Sequence, residues 1–539
     1  RIPALVGRWG ARQGAALAAF PVAFMYGLLT GMGLPAIRAT LMLAVLTAAL
    51  VLKREKDLVN SILLAGLLIL ILSPAALFSA SFQLSFIAVT ALAELVPRLP
   101  MPDILKSDAG QEEEWRRWLR RAYQFICASW LVTLYTAPIG LYHFHRLTPA
   151  GLFANLLVVP LVCFLVLPAG LLALCLSPLS SALAGFVLTI GSLGLAIVVK
   201  LAGELSSVPW AAIWPGTPRA WQVALVYVLL WIPFTESRLR WRACLLVSGI
   251  FVLLVSWTTP GALLTSEQSE LRVTYLDVSQ GNSAVVELPG KRALIIDGGG
   301  FYGSQFDVGR HVVAPYLWHR RIRRLEAMVL SHPHPDHFRG LPFIATHFHV
   351  KQFWYNGVSI DDPDFKELMN TLARNNVRCL GPGQLPFCQN LGGVQVQVLH
   401  PRPGFYRNST GSTDRQLNNL SLVLRLNYRN TSFLFPGDIE KQGEYQLISY
   451  PELSPVDVLL APHHGSRTSS SVELLRKLKP GVVVFSVGAG NRFHLPATQV
   501  LERYQGLGVR SYRTDRHGAV TICTDGDVIR VETFLTGED

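Results

Sequence analysis

The chain has 539 residues, half of them hydrophobic and only 16% charged, with a net charge of +12. That length exceeds one domain, and that apolar fraction excludes an ordinary soluble enzyme throughout. The excess sits in the first half: residues 1–266 carry 19 Lys/Arg against 10 Asp/Glu, a net of +9, and residues 267–539 carry 29 against 26, a net of +3. A basic, apolar first half suits anionic lipid head groups or a polyanion. The chain opens on Arg1 rather than Met, which reads as a fragment of a longer protein.

Nine apolar segments follow in order, at about 12–33, 36–53, 60–77, 82–97, 123–140, 148–175, 178–203, 218–234 and 242–258. Several approach the roughly 20 residues needed to cross hydrocarbon. The fourth is short and reads as broken or tilted. Three basic clusters set the orientation: Lys53, Arg54 and Lys56; Arg116, Arg117, Arg120 and Arg121; and Arg238, Arg240 and Arg242. Positive charge stays on the cytoplasmic side, and even numbers of segments separate the clusters. The ninth segment then runs outward. A linker at 259–268 follows, and residues 269–539 are expected outside the cytoplasm.

Polar groups interrupt the spans at Arg38, Asn60, Gln83, Ser85, His143, His145 and Asn155. Such groups face a bundle interior or a wet path more often than lipid, and the alternative is snorkelling to an interface or a hydrogen bond between helices. Residues 96–122 read as an amphipathic helix on the membrane surface. Residues 204–220, with Trp210 and Trp214, read as an interfacial stretch. The seven cysteines show no CxxC spacing. Cys127, Cys163, Cys175 and Cys244 lie in or beside apolar helices and read as small buried hydrophobes. Cys379 and Cys388 are close enough in sequence to form a disulfide in an oxidising space.

The second half is strand-rich. Val285–Leu288 and Ala293–Ile296 are short β-type runs, and Asp297 ends the latter in DGGG, where an orienting role suits it. His311–Arg324 reads as a helix ending in the basic run HRRIRR, which offers either a solvated face or an attraction for a polyanion. The strand Leu325–Leu330 leads into SHPHPDH, Ser331–His337. His332 and His334 alternate with Pro333 and Pro335, which restrict the loop before any ligand binds. Asp336 and His337 follow directly. The pattern then repeats. His400 ends a strand, where a ligand or a satisfied core histidine fits equally. Asp438 ends the hairpin that turns near Arg429–Asn430. His463 and His464 follow the strand Val456–Leu460, and His494 sits in the loop after GVVVFSV. A final pair of strands closes the half.

Imidazoles and carboxylates at strand C-termini collect on one sheet edge. One carboxylate between two cations lowers their repulsion, so the set suits a two-metal hydrolase.

At these residues the second half resembles the metallo-β-lactamase fold, a four-layer αββα sandwich with a dinuclear metal site. HPHPDH matches its HxHxDH signature, and Gly437–Asp438 its bridging-aspartate motif. The order LDVSQGNS, DGG, HPHPDH, NNLSLVL, PGD, PHHGS resembles the C-terminal domain of the ComEC/Rec2 family of DNA-internalisation channels. Gly31–Arg54 and SPAALFSASFQLSFIAVTAL are similar to that family's polytopic α-helical membrane domain. The resemblance begins part-way through the membrane domain.

It implies an inner-membrane, multi-pass channel for single-stranded DNA in natural transformation. It implies an extracytoplasmic nuclease that degrades the strand not taken up. It also implies partners: DNA, membrane lipid, a DNA receptor and a cytoplasmic translocation motor. The cofactors implied are two divalent cations, Zn²⁺ or Mn²⁺. His332 and His334 hold one, Asp336 and His337 the other, Asp438 bridges, and His463, His464 or His494 completes the shells. Asp336, His334 and Asp438 carry catalysis, with Asp336 also orienting the attacking water. Asn419, Ser421 and Ser466 contact substrate, and Asp297 stands behind the ligands. Two departures are visible. The fold places a histidine before the bridging Asp, where this chain reads NNLS at Asn418–Ser421, so the first cation's third ligand stays open. Position 282 is Asn where Asp is commoner. The same residues also fit a membrane-anchored phosphoesterase acting on a non-DNA substrate, or a channel whose outer domain only binds DNA.

Overall fold

The computed structural model describes residues 11–51, 58–102, 105, 114–235, 239–258, 270–290, 292–304, 306–402 and 414–536. Two compact units divide the chain, Arg1–Thr259 and Pro260–Asp539.

The first unit is helical. Its helices are Ala11–Leu29, Leu34–Val51, Leu58–Leu72, Ala80–Thr90, Glu114–Phe144, Ala150–Leu161, Leu167–Leu176, Ser181–Ser206, Ala220–Trp231 and Leu239–Thr258. Two wide turns, Ala91–Leu95 and Val162–Val166, extend helical runs instead of ending them. The second adjoins Pro160 and Pro168, which lack the N–H that a regular α-turn would use. Among the described residues, four helical runs are long and apolar enough to cross a membrane: Ala80–Arg98, Glu114–Phe144, Ala150–Leu176 and Ser181–Ser206. The remaining apolar helices are shorter. The expected fourth segment is therefore a full-length run with an irregular end.

Of the separate surface helix expected at 96–122, the described residues 96–98 and 114–122 belong to the flanking apolar runs. Val96–Arg98 closes the preceding run, and Glu114–Phe144 carries Arg116–Arg121 straight into the fifth apolar segment. Apolar residues continue at helical spacing past Tyr123, so nothing stops the helix there. Lys53, Arg54, Lys56, Arg238 and the 259–268 linker lie outside the described residues.

Polar groups in the spans are matched to neighbouring helices. Arg38 donates from Nη2 to Ser81 Oγ at 2.6 Å, and His143 Nε2 lies 2.9 Å from Gln83 Oε1. Asn155 Nδ2 reaches Thr133 Oγ1 at 3.4 Å. In an apolar bundle such pairs tie helices together.

The second unit is built from two sheets. One contains β1 (Leu271–Tyr275), β2 (Ala284–Leu288), β3 (Arg292–Ile296), β5 (Ala327–Leu330), β7 (Gln352–Tyr355), β8 (Arg378–Leu380), β16 (Val520–Thr524) and β17 (Ile529–Thr533). The other contains β9 (Cys388–Leu391), β10 (Val394–His400), β11 (Val423–Tyr428), β12 (Thr431–Phe435), β13 (Val458–Leu460), β14 (Val482–Phe485) and β15 (Arg510–Arg513). β4 (Arg324–Leu325) and β6 (His349–Val350) form a small separate pair.

Alternation fills the space between the sheets. Val273, Tyr275, Val286, Leu294, Ile296 and Val329 from the first meet Leu424, Leu426, Phe433, Phe435, Val458 and Val484 from the second in one core. Tyr275 stacks on Phe435 at 5.8 Å. The intervening residues Leu434, Leu459 and Val483 face outward onto Leu447, Leu474, Leu475, Val500 and Tyr504 of three helices. On the far side of the first sheet, Tyr316 of the helix Ala314–His319 reaches Thr274 and Glu287. Helix, sheet, sheet and helix thus make four layers.

β3, β5, β7 and β8 run parallel, as do β12, β13, β14 and β15. Loops that follow parallel strands emerge together at one edge. Three expectations change. His311–Arg324 is not one helix: a wide turn Gly309–Val313 leads into Ala314–His319, and Arg324 already belongs to β4. The two closing strands do not pair, because β15 joins the second sheet and β16 the first. Cys379 and Cys388 are both free thiols, on edge strands of different sheets.

Candidate metal centre

Two parallel neighbours, β3 and β5, release Asp297 and Ser331 side by side. Asp297 adopts φ +58°, a left-handed backbone uncommon outside glycine. Its Oδ1 accepts from Ser331 N at 2.7 Å, and its Oδ2 from Ser331 Oγ at 2.8 Å and from His337 Nδ1 at 2.8 Å. A carboxylate acceptor fixes the proton on Nδ1 and leaves Nε2 facing inward. Gly300 lets DGGG approach the loop: a Cβ there would stand 2.2 Å from the Pro335 carbonyl oxygen.

Among the described residues, Asp336, His337, Asp438 and His464 bring one ligand atom each to within 4.8 Å of one another. Asp438 Oδ2 lies 3.3 Å from His337 Nε2 and 3.4 Å from His464 Nε2. Asp336 Oδ2 lies 3.5 Å from His464 Nε2. His464 Nδ1 donates to the Ser486 carbonyl at 2.9 Å, which points Nε2 at the carboxylates. His463 and His464 both have left-handed backbone, with φ/ψ of 48°/44° and 56°/19°. Consecutive strained residues persist where the surroundings over-determine them. Asp438 is held by its own N–H, which donates to Ser421 Oγ at 3.1 Å.

These groups fit a divalent cation on their donor chemistry. His337 Nε2, His464 Nε2 and Asp438 Oδ1 are buried without a hydrogen bond. Buried polar atoms are otherwise paired in folded proteins. Two imidazoles and two carboxylates form a nitrogen–oxygen donor set that suits several divalent metals.

The electrostatics lean the same way. Burial alone pushes the His464 imidazole down, but the Asp438 and Asp336 carboxylates outweigh it and hold it up at about 9. Burial likewise opposes protonation of His337, and Asp438, Asp297 and Asp336 together keep it well above the usual range. Asp438 is driven upward by burial and held well below its ordinary value by His337, His464 and His463. The pocket therefore concentrates negative charge that attracts a positive one.

His332 and His334 adjoin this set without belonging to it. His332 Nε2 and His334 Nδ1 are 2.9 Å apart, and the His332 ring lies 4.2 Å from that of His337. Burial, reinforced by His337, holds His332 well below the ordinary imidazole range. Of the three later histidines, the one in the cluster is His464. His463 is partly exposed, 3.8 Å from Asp438 and 3.5 Å from Glu440. His494 is exposed and is not among the four.

The expected substrate contacts divide. The side-chain oxygen of Asn419 accepts from Glu440 N at 3.0 Å and Gly443 N at 2.8 Å, at the start of the helix Lys441–Ile448. Ser421 Oγ supports Asp438 and lies 3.3 Å from His332 Nδ1. Ser466 is half-buried, with Oγ 3.0 Å from Thr468 Oγ1. His400 is a satisfied core histidine: Nδ1 meets Tyr450 Oη at 3.1 Å and Nε2 the Asn419 carbonyl at 2.9 Å. Arg320 from the basic run is engaged with Glu287 through contacts of 2.9 and 3.1 Å. Sequence reasoning passed over Ser331, Glu440 and Ser486. Glu440 stands two residues after Asp438 in GDIE, but Ser486 is placed only by its backbone carbonyl.

Residues 2–240 match the family model described as competence protein, and residues 276–373 match that of the metallo-β-lactamase superfamily. The chain is 27% identical over 92% of its length to ComE operon protein 3 of Bacillus subtilis, covering 62% of that protein. It is 28% identical over 96% of its length to protein YcaI of Escherichia coli, covering 63% of it. It is 26% identical over 89% of its length to recombination protein 2 of Haemophilus influenzae, covering 60% of it. The chain thus spans less than two thirds of each of these relatives. At this low identity it is similar to competence-associated proteins in both halves: an apolar multi-helix unit, then an α/β unit that resembles metallo-β-lactamases and holds a cluster suited to a divalent metal.

Proposed function

We propose that the chain forms an inner-membrane channel for single-stranded DNA, with an extracytoplasmic, metal-dependent deoxyribonuclease that removes the strand not taken up. The observation that carries the enzyme half is the convergence of Asp336, His337, Asp438 and His464, within a unit that matches the metallo-β-lactamase model. The competence-protein match over residues 2–240 supports the transport half. A cytoplasmic translocation motor is the proposed source of directional movement.

Two divalent cations, Zn²⁺ or Mn²⁺, are assigned to this site. Asp336, His337, Asp438 and His464 would hold one, and His332 and His334 would contribute to the other. When bound they supply Lewis-acid polarisation of a phosphate oxygen and ready deprotonation of water. The chain's own part is positional. Asp297 and Ser331 keep His337 in one tautomer, and the Ser486 carbonyl does the same for His464. Asp336 has the most accessible side chain of the four, and its carboxylate orients the attacking water. Ser466 Oγ and the backbone N–H groups of its turn donate to the phosphate.

The full chain in detergent, supplied with Mn²⁺ or Zn²⁺, is expected to cleave labelled single-stranded DNA. Chelator or Asp438→Ala is expected to abolish the cleavage. A well-folded, metal-loaded protein that leaves DNA intact and hydrolyses another phosphoester would contradict the nuclease reading.

A further inference from the structure

The loop between β14 and the helix Thr498–Gly506 is pinned to the histidine turn at both ends. At its start, the Ser486 carbonyl accepts from His464 Nδ1 at 2.9 Å. At its end, Ala497 N–H donates to the Gly465 carbonyl at 3.0 Å. Between them Asn491 braces the loop from inside. Its Nδ2 donates to the carbonyls of Gly488 at 2.9 Å and Leu495 at 2.7 Å, and its Oδ1 accepts from Leu495 N at 2.9 Å. Its own carbonyl accepts from His494 N at 3.1 Å.

The hydrophobic core takes Val487, Leu495 and Ala497 and leaves 489–494 outside it. What the braced loop presents to solvent is Arg492, Phe493 and His494. Phe493 is 52% exposed, and the Arg492 guanidinium stands 4.7 Å from its ring centroid. His494 is exposed, in a left-handed backbone at φ +54°. A braced support that holds an aromatic ring and a cation in water, on a loop hydrogen-bonded at both ends to the His463–Gly465 turn, contributes nothing to packing.

We propose that this tip engages single-stranded nucleic acid beside the cleaved bond. Phe493 stacks on an unpaired base, Arg492 faces a backbone phosphate, and His494 donates a hydrogen bond to the next. Every base has a π-face, so such a platform accepts any sequence, and a neighbouring cation matches the anionic backbone. A compact phosphoester offers no row of planar groups for the ring. The inference rests on the nuclease reading and deepens it by naming the side chains that hold the strand beside the site. It also gives His494 a role at the substrate in place of one at the metal.

The test measures binding by fluorescence anisotropy on the full chain in detergent, with chelator present to prevent cleavage. Two labelled probes of equal length are compared: a short oligothymidine, and the same chain made of abasic sites. Phe493→Ala is expected to weaken oligothymidine binding about tenfold, within the range of base–aromatic stacking, and to leave the abasic chain unaffected. Phe493→Trp is expected to restore binding. Unchanged metal content in both variants shows that the cluster is intact. Equal binding of oligothymidine by wild type and Phe493→Ala would overturn the inference and leave the nuclease reading standing. So would loss of both probes together, or weaker binding only to anionic lipid vesicles, which would make the tip a membrane anchor. A wild-type chain that binds neither probe would overturn both readings.

Discussion

His400 and His464 are both buried histidines that follow strands, and they do opposite things. His400 spends both ring nitrogens on protein partners, the Tyr450 hydroxyl and the Asn419 carbonyl. His464 spends one on the Ser486 carbonyl and aims the other at Asp438 and Asp336. Burial drives His400 down to about 4, whereas two carboxylates lift His464 to about 9. The pair teaches that strand-end position and burial do not make a ligand. An inward nitrogen with only carboxylates ahead of it does.

The sharpest way to break this contrast is to delete the shared carboxylate. Asp438→Ala is expected to remove the bound metal and lower hydrolysis by at least about 10²–10³-fold, read by metal analysis and by single-turnover cleavage. Asp297→Asn strikes one layer further out. It leaves the four ligands in place but unlocks the His337 tautomer, so metal affinity should drop about 10–100-fold in a chelator competition.

A third experiment uses pH. Metal-free His464 binds a proton more tightly when folded than when unfolded. Its contribution to stability is therefore complete below the unfolded value of about 6.5 and is lost as pH rises through about 9. A cation must displace that proton, so metal affinity should rise across the same window. His400 has the opposite sign. Its folded value near 4 lies below the unfolded one, so the unfolded state gains the proton first, and stability falls as pH drops from about 6.5 to 4. His400→Gln should flatten that acid limb, reduce stability by about 1–3 kcal/mol, and leave metal content unchanged in calorimetry and metal analysis. The smallest expected effect concerns Cys379 and Cys388. Both should react with a thiol reagent in the folded protein, with no change in mobility on reduction.

Much of the site was legible because its signals are local. HPHPDH, PGD and HHG each follow a strand, and parallel strands deliver their C-terminal loops to one edge. The helical first half was legible for the same reason, since long apolar runs have few alternatives. What escaped depends on backbone detail. Choosing His464 over His463 and His494 requires the left-handed turn at 463–464 and the Ser486 carbonyl, neither of which has a pattern in one sequence. The link from the Asn419 carboxamide oxygen to a helix that begins 22 residues later has no local pattern either. Residues 114–122 looked separable because they are charged, yet helical propensity carries straight through them into the apolar run.

Anomalous scattering from the Mn²⁺-soaked protein tests the central claim most directly. The account predicts a peak within coordination distance of Asp336, His337, Asp438 and His464, absent in Asp438→Ala. A well-folded, fully soaked protein with no anomalous signal among those four side chains, or with the ion held elsewhere, would contradict it.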